Sequence, residues 1–187
     1  MRARAELAVA GALLVLATSA DTRATVMPAL PLDRLVAASH LVVVGTVIER
    51  EPAWEGRFIV TRNRVLVERV VVNDLGISPM QVTVATLGGV LDSVGLWVPG
   101  EARLERGAGY LLFLHETQAG LVPSAMSQSA LEVIDTPGGR LVLPSRARRL
   151  VDPSPAGWTP AMPFLVQPAG LDELTARIRR LARRERR

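Results

Sequence analysis

The sequence has no cysteine and no lysine, only two histidines and one tyrosine, and aromatic side chains make up just 4% of its 187 residues. Each shortage excludes something. Without cysteine there is no disulfide, no thiolate metal site, no thiol nucleophile and no lipid-modified N-terminal thiol. The lack of lysine makes every basic residue an arginine, which reads as the codon bias of a G+C-rich genome rather than as chemistry. Two histidines, His40 and His115, cannot supply the three or four ligands of a protein zinc site without carboxylate help. Both flank predicted strands, so they are expected to be polar strand-end residues.

Motifs are missing too. No G-x-S-x-G nucleophile elbow, no G-x-x-x-x-G-K-[ST] phosphate loop and no G-x-G-x-x-G fingerprint occurs. The acids are scattered: Glu49, Glu51 and Glu55 lie near one turn, Glu101 and Glu105 near another, and solvated loop charge is the plain reading. Asp92 has the character of a turn former. The sequence therefore predicts a non-catalytic protein with no cofactor, no metal and no catalytic residue.

What is present is an apolar chain, 49% hydrophobic with a mean hydropathy of +0.26, long enough for one well-cored domain. Its net charge of +4 is unevenly placed. Residues 171–187 alone carry seven arginines against three acids, net +4, and residues 1–20 carry +1, which leaves −1 for 21–170. A neutral body with few aromatics lacks the basic stacking groove that nucleic acid requires, and no nucleic-acid partner is expected.

Residues 1–20 have the order of a secretory signal peptide: Arg2 and Arg4, an apolar run Leu7–Ala17, then Thr18-Ser19-Ala20. The run is short for a membrane span, which takes roughly 20 residues. With no twin-arginine pair, the general secretory route and a periplasmic or extracellular location are expected.

Helical spacing of Leu32, Leu35 and Val36 predicts a short helix, Pro31–Ser39. Strands are predicted at Leu41–Ile48, Phe58–Val72, Gln81–Leu87, Val94–Val98, Gly109–His115, Ala130–Asp135 and Arg140–Leu143, the last two joined as a hairpin. Gly45 marks a bulge or bend. A turn is read at Pro52–Gly56. Val65, Val67 and Val71 are assigned to one face, opposite Arg62, Arg64 and Glu68. From Pro144 to Pro168 the chain is proline-rich and reads as a loop-like wrap or linker. Leu171, Leu174, Ile178 and Leu181 form the apolar stripe of a terminal helix. The resulting organisation is a signal peptide (1–20), a β-barrel domain (21–143), the wrap (144–169) and a basic helix (170–187). The fold class is mainly β: a small antiparallel barrel with a short N-terminal helix and a C-terminal amphipathic helix.

The segments Ser39–Val47, Trp54–Thr61, Leu87–Gly89, Val98–Ala102 and Gly107–Leu114 resemble, in that order, a group of uncharacterised exported bacterial proteins. At fold level the pattern is similar to the netrin-like domain of the tissue inhibitors of metalloproteinases, an OB-type barrel. His40 stands where that pattern has Asp, and Val71-Val72-Asn73-Asp74 replaces its Leu-Lys-Gly. Those inhibitors act through an N-terminal cysteine, which this chain lacks, so the resemblance implies an OB-like fold more than the activity.

Three tryptophans carry expectations. Trp54 is a lid for the barrel end or a partner anchor, Trp97 is core, and Trp158 pins the wrap. The tail arginines Arg177, Arg179, Arg180, Arg183, Arg184, Arg186 and Arg187 either complement the helix dipole or dock on an anionic envelope surface. The leading expectation is an exported interaction module with an unknown protein partner, by the resemblance an exported protease. A small-ligand carrier and an unrecognised hydrolase are the alternatives.

Overall fold

The computed structural model describes residues 27–147, 150–154 and 157–185. Residues 1–20, for which a signal peptide is expected, and Arg186 and Arg187 lie outside the described residues, as do the side chains of 152–158, Trp158 among them.

Strand β1 (Met27–Pro28) leads into helix α1 (Leu32–Ala37), then β2 (Leu41–Glu55), β3 (Phe58–Asn73), β4 (Gln81–Leu87), β5 (Gly89–Leu91) and β6 (Val94–Leu96). Strands β7 (Gly109–Thr117) and β8 (Gly120–Pro123) follow, then a 3₁₀ turn (Met126–Ser129), β9 (Ala130–Thr136) and β10 (Gly139–Val142). The chain closes with β11 (Leu150–Ser154), β12 (Gly157–Pro160), β13 (Ala169–Gly170) and helix α2 (Leu171–Glu185). The protein is mainly β, with a helix at each end of the described chain.

The main sheet runs β13-β10-β9-β7-β2-β3-β4-β8, and β8 also pairs with β7. Strands β2, β3, β4, β8 and β7 thus form a ring. Its closure is partial, because β4 and β8 meet, in parallel, at the single pair Val84–Leu121.

The long β2–β3 pair curls through three irregularities, at Val42/Val43, Val44/Gly45 and Val47/Glu49. Each drops one residue out of the ladder and increases the local twist. Gly45 sits at the second, as expected: a Cβ there would collide with the Leu66 carbonyl and lie 2.8 Å from Val65 Cγ1. The same irregularities correct the predicted face of β3. Val65 and Val67 point into the ring, but the slip at Val43 turns Val71 to the other side, beside Val72.

Two apolar cores result. Inside the ring lie Leu41, Val43, Val47, Val65, Val82, Val84, Leu104, Tyr110, Leu112 and Leu114. On the outer face Val42, Val44, Leu111, Phe113, Leu131 and Val133 meet Leu35 and Val36 of α1 and Leu171, Leu174 and Ile178 of α2. Adjacent residues of β2 and β7 feed different cores, as the period of a strand requires. That is why both strands read as unbroken apolar runs.

Four expectations are corrected. β2 does not end at Ile48 but continues through Pro52 to Glu55. Strands β5 and β8, unforeseen, extend the pattern. The wrap is not structureless: β11 pairs with β12 and, in parallel, with β1. Trp97 is not core but 65% exposed, one residue past β6.

The wrap is held down by side chains. Phe164 meets Phe113 edge-to-face with centroids 6.3 Å apart. Gln128, buried, clamps the N-terminal segment: its Nε2 donates to the Pro28 carbonyl (2.9 Å), and its Oε1 accepts from the Leu30 amide (3.0 Å).

Candidate contact site at one end of the ring

The segment between β6 and β7 turns back over the ring. The Gly107 amide donates to the Val47 carbonyl (2.7 Å) and the Val47 amide to the Ala108 carbonyl (3.1 Å), while the Glu105 amide donates to the Tyr110 hydroxyl oxygen (3.0 Å). These bonds hold Leu104 in the ring interior, where it is 1% exposed. Leu104 is a plug. The interior is occupied by side chains, as a small barrel requires.

Outside the plug lies a cleft of about 560 Å³, walled by the end of β4, the β5–β6 hairpin and residues 96–105. The hairpin is brought close by glycine. Gly89 has φ +145°, and a Cβ there would fall 2.5 Å from Thr61 Oγ1 and 3.4 Å from Pro52 Cβ. Asp92, with φ 54°, makes the hairpin turn, the role foreseen for it.

The cleft floor is polar and ordered. Thr61 donates to the Gly88 carbonyl (2.6 Å), and beneath the floor buried Asn63 donates to the Val84 carbonyl (3.0 Å) and to Thr86 Oγ1 (3.1 Å). Arg50 and Glu105 form an ion pair at 3.0 Å on one wall. Glu101, also lining the cleft, accepts from the Ala102 amide (3.1 Å). Burial pushes its carboxyl above the ordinary carboxylate range, against the smaller downward pull of that amide.

The lip is apolar. Trp97 and Val90 line the cleft at 65% and 69% exposure. Trp54 is half-exposed in β2, two residues beyond Pro52 and therefore on the same strand face. It is a strand residue rather than a turn residue. Phe58 and Leu87, also exposed, sit on the opposite face of the same sheet end, where the Arg57 guanidinium lies 5.1 Å from the Phe58 ring centroid.

The other sequence candidates are dispersed. His40 Nδ1 accepts from the Glu116 amide (3.1 Å), next along β7 from His115, a strand-end role. Glu49 pairs with Arg64, and Glu55 with Arg62, across β2–β3. Glu68 accepts from Thr46 (2.8 Å) and from Arg140 (2.6 Å), and Arg140 also reaches Asp135 (3.2 Å). Among the described residues no three His, Asp or Glu side chains are grouped to hold a metal ion. Arg177, Arg179, Arg180, Arg183 and Arg184 ride on α2, apart from the cleft.

Sequence reasoning named Trp54, but it placed Trp97 in the core, took Glu101 for solvated loop charge where the structure half-buries it, and missed the Leu104 plug. The Val98-Pro99-Gly100 break before Leu104 was the available signal, since a long apolar-containing loop must bury its leucines somewhere. In comparisons with known proteins, no family model, no curated protein and no solved structure matches this chain.

Proposed function

We propose that the chain is an exported, non-catalytic binding module, built on an OB-like ring, that engages a protein partner through the cleft end. The observation that carries this is the exposure of Trp97 and Val90 on the rim of a concave, ordered cleft, with Trp54 on the same side. Exposed aromatic side chains around a recess are the usual makings of an interface centre. A ring of five strands that closes only in part fits the OB-type outline, a fold whose members bind along the barrel face. The partner proposed is another exported protein, and the netrin-like resemblance puts proteases first in the search. No cysteine is available to copy a thiol-based inhibition. The OB likeness supports the scaffold alone.

The test is a pull-down from envelope and culture supernatant with the full chain, compared with Trp97→Ala combined with Val90→Ser. A saturable, stoichiometric partner that is lost with this pair and kept with the exposed-surface control Met80→Ser supports the reading. A partner retained by the cleft variant would place the contact elsewhere and sink it.

A further inference from the structure

Beyond that reading, and independent of it, stands the arginine face of α2. The helix buries Leu171, Leu174, Thr175, Ile178 and Ala182 against the sheet and α1. At 100° per residue these fix one face; Arg177, Arg180, Arg183 and Arg184 are exposed on the other side, and Arg179 is half-buried at the flank. Arg177, Arg180 and Arg184, spaced i, i+3, i+7, form one stripe beside Leu181 and line a shallow hollow of about 300 Å³.

Three features separate this from ordinary helix chemistry. Only Arg183 and Arg184 lie in the last turn, where the helix dipole favours cations, so Arg177 and Arg180 are not accounted for by it. None of the five is in an ion pair among the described residues, whereas six of the ten described arginines outside α2 are. Like charges at i+3 and i+4 spacing repel, and Glu173, one turn before Arg177 on the same stripe, sets a single acid against its three arginines.

We infer that this face docks on an anionic lipid surface, with Arg177, Arg180 and Arg184 as the contact line. The charge complementarity is direct, and the geometry sets the mode. The apolar side of α2 is already used in the core, so it has no free stripe to bury among acyl chains. Among the described residues no helix is long and apolar enough to cross a membrane. Attachment through α2 is therefore peripheral, electrostatic and sensitive to salt.

The experiment is sedimentation of the full chain with vesicles of phosphatidylglycerol and phosphatidylcholine (about 1:1), at low salt and at about 0.5 M salt. Binding is expected at low salt only, and not to pure phosphatidylcholine. Each arginine removed from the stripe should lower partitioning about fivefold, so R177Q/R180Q/R184Q should lower it about a hundredfold. R62Q/R64Q/R146Q changes net charge equally but lies off the helix and outside the cleft, and should retain binding. A melting temperature within about 2 °C of the parent shows that the helix variant is folded, because these side chains point to solvent. Equal loss in both triple variants, binding that survives 0.5 M salt, or no binding at low salt would each overturn the inference. So would an RNA oligonucleotide that displaces the vesicles at matched phosphate, which would make the face a nucleic-acid surface instead.

Discussion

The backbone amide of Glu105 donates to the hydroxyl oxygen of Tyr110 at 3.0 Å. This one bond ties the segment that carries the Leu104 plug to the second residue of β7. Burial raises the Tyr110 pKa above its ordinary value, and the Glu105 amide offsets that in part, so the hydroxyl is neutral across the physiological range. Tyr110→Phe should lower stability by about 1 kcal/mol. It should also speed amide exchange at Leu104–Gly107 more than in the β2–β3 ladder, as read by hydrogen–deuterium exchange. Uniform acceleration across the molecule would mean that the bond is not a local anchor.

Gly45 is irreplaceable for steric reasons. Any Cβ runs into β3 at Leu66 and Val65, so Gly45→Ala should cost about 1–3 kcal/mol. Gly138→Ala, in the β9–β10 turn, has only Thr136 Oγ1 at 4.0 Å and serves as the control. Urea unfolding midpoints of the two variants check the contrast.

Two carboxylates titrate in opposite senses. For Glu68, burial alone would raise the pKa, but hydrogen bonds from Thr46 and Arg140, with the charges of Arg140 and Arg69, bring it below the ordinary 4.5. Its stabilisation is present above 4.5 and is lost as pH falls through the lowered value. Glu101 is raised, so folding favours its protonated form, and stability is lost as pH rises from 4.5 through the raised value. Glu101→Gln should therefore be more stable than the parent at pH 7, with the gain vanishing below 4.5. Glu68→Gln should be less stable at pH 7, with the loss closing in acid. Denaturation midpoints between pH 3.5 and 7.5 decide both.

Phe164 holds the wrap to the sheet through its edge-to-face contact with Phe113. Phe164→Ala should cost about 1 kcal/mol from the ring pair. Limited proteolysis should then cut within 161–168 before the sheet is touched. Cleavage first in the β5–β6 hairpin would show that the wrap is held by other contacts.

The parts of the fold that were legible are those where one physical signal dominated. Gln81–Leu87 alternates cleanly and has the bounds read from the sequence. Gly45 in a β-branched run announced its bend. Proline misled at Pro52, because a missing amide was taken for a turn. Beyond Val47, β2 has no strand partner but β3 among the described residues, so Pro52 sits on an open edge where no donor is needed. Pro153 and Pro160 hid β11 and β12 in the same way. The face of Val71 was lost because a bulge inverts the alternation that predicts it. Trp97 was misassigned because its apolar character says that it seeks contact without saying whether the contact lies within the chain. Of the candidate site, Trp54 alone was marked in advance, since the cleft is made by a glycine-tight hairpin and a plugged loop that leave no periodic trace.

The two cores share a wall. Val42 and Val44 face the helices, while Leu41, Val43 and Val47 face the ring interior, all from one strand. Damage on either side must bend that strand and loosen the other. Heat and denaturant should therefore find no half-folded state in which the helices have left and the ring persists, and the chain should melt in a single cooperative step. Its architecture gives it no modular retreat.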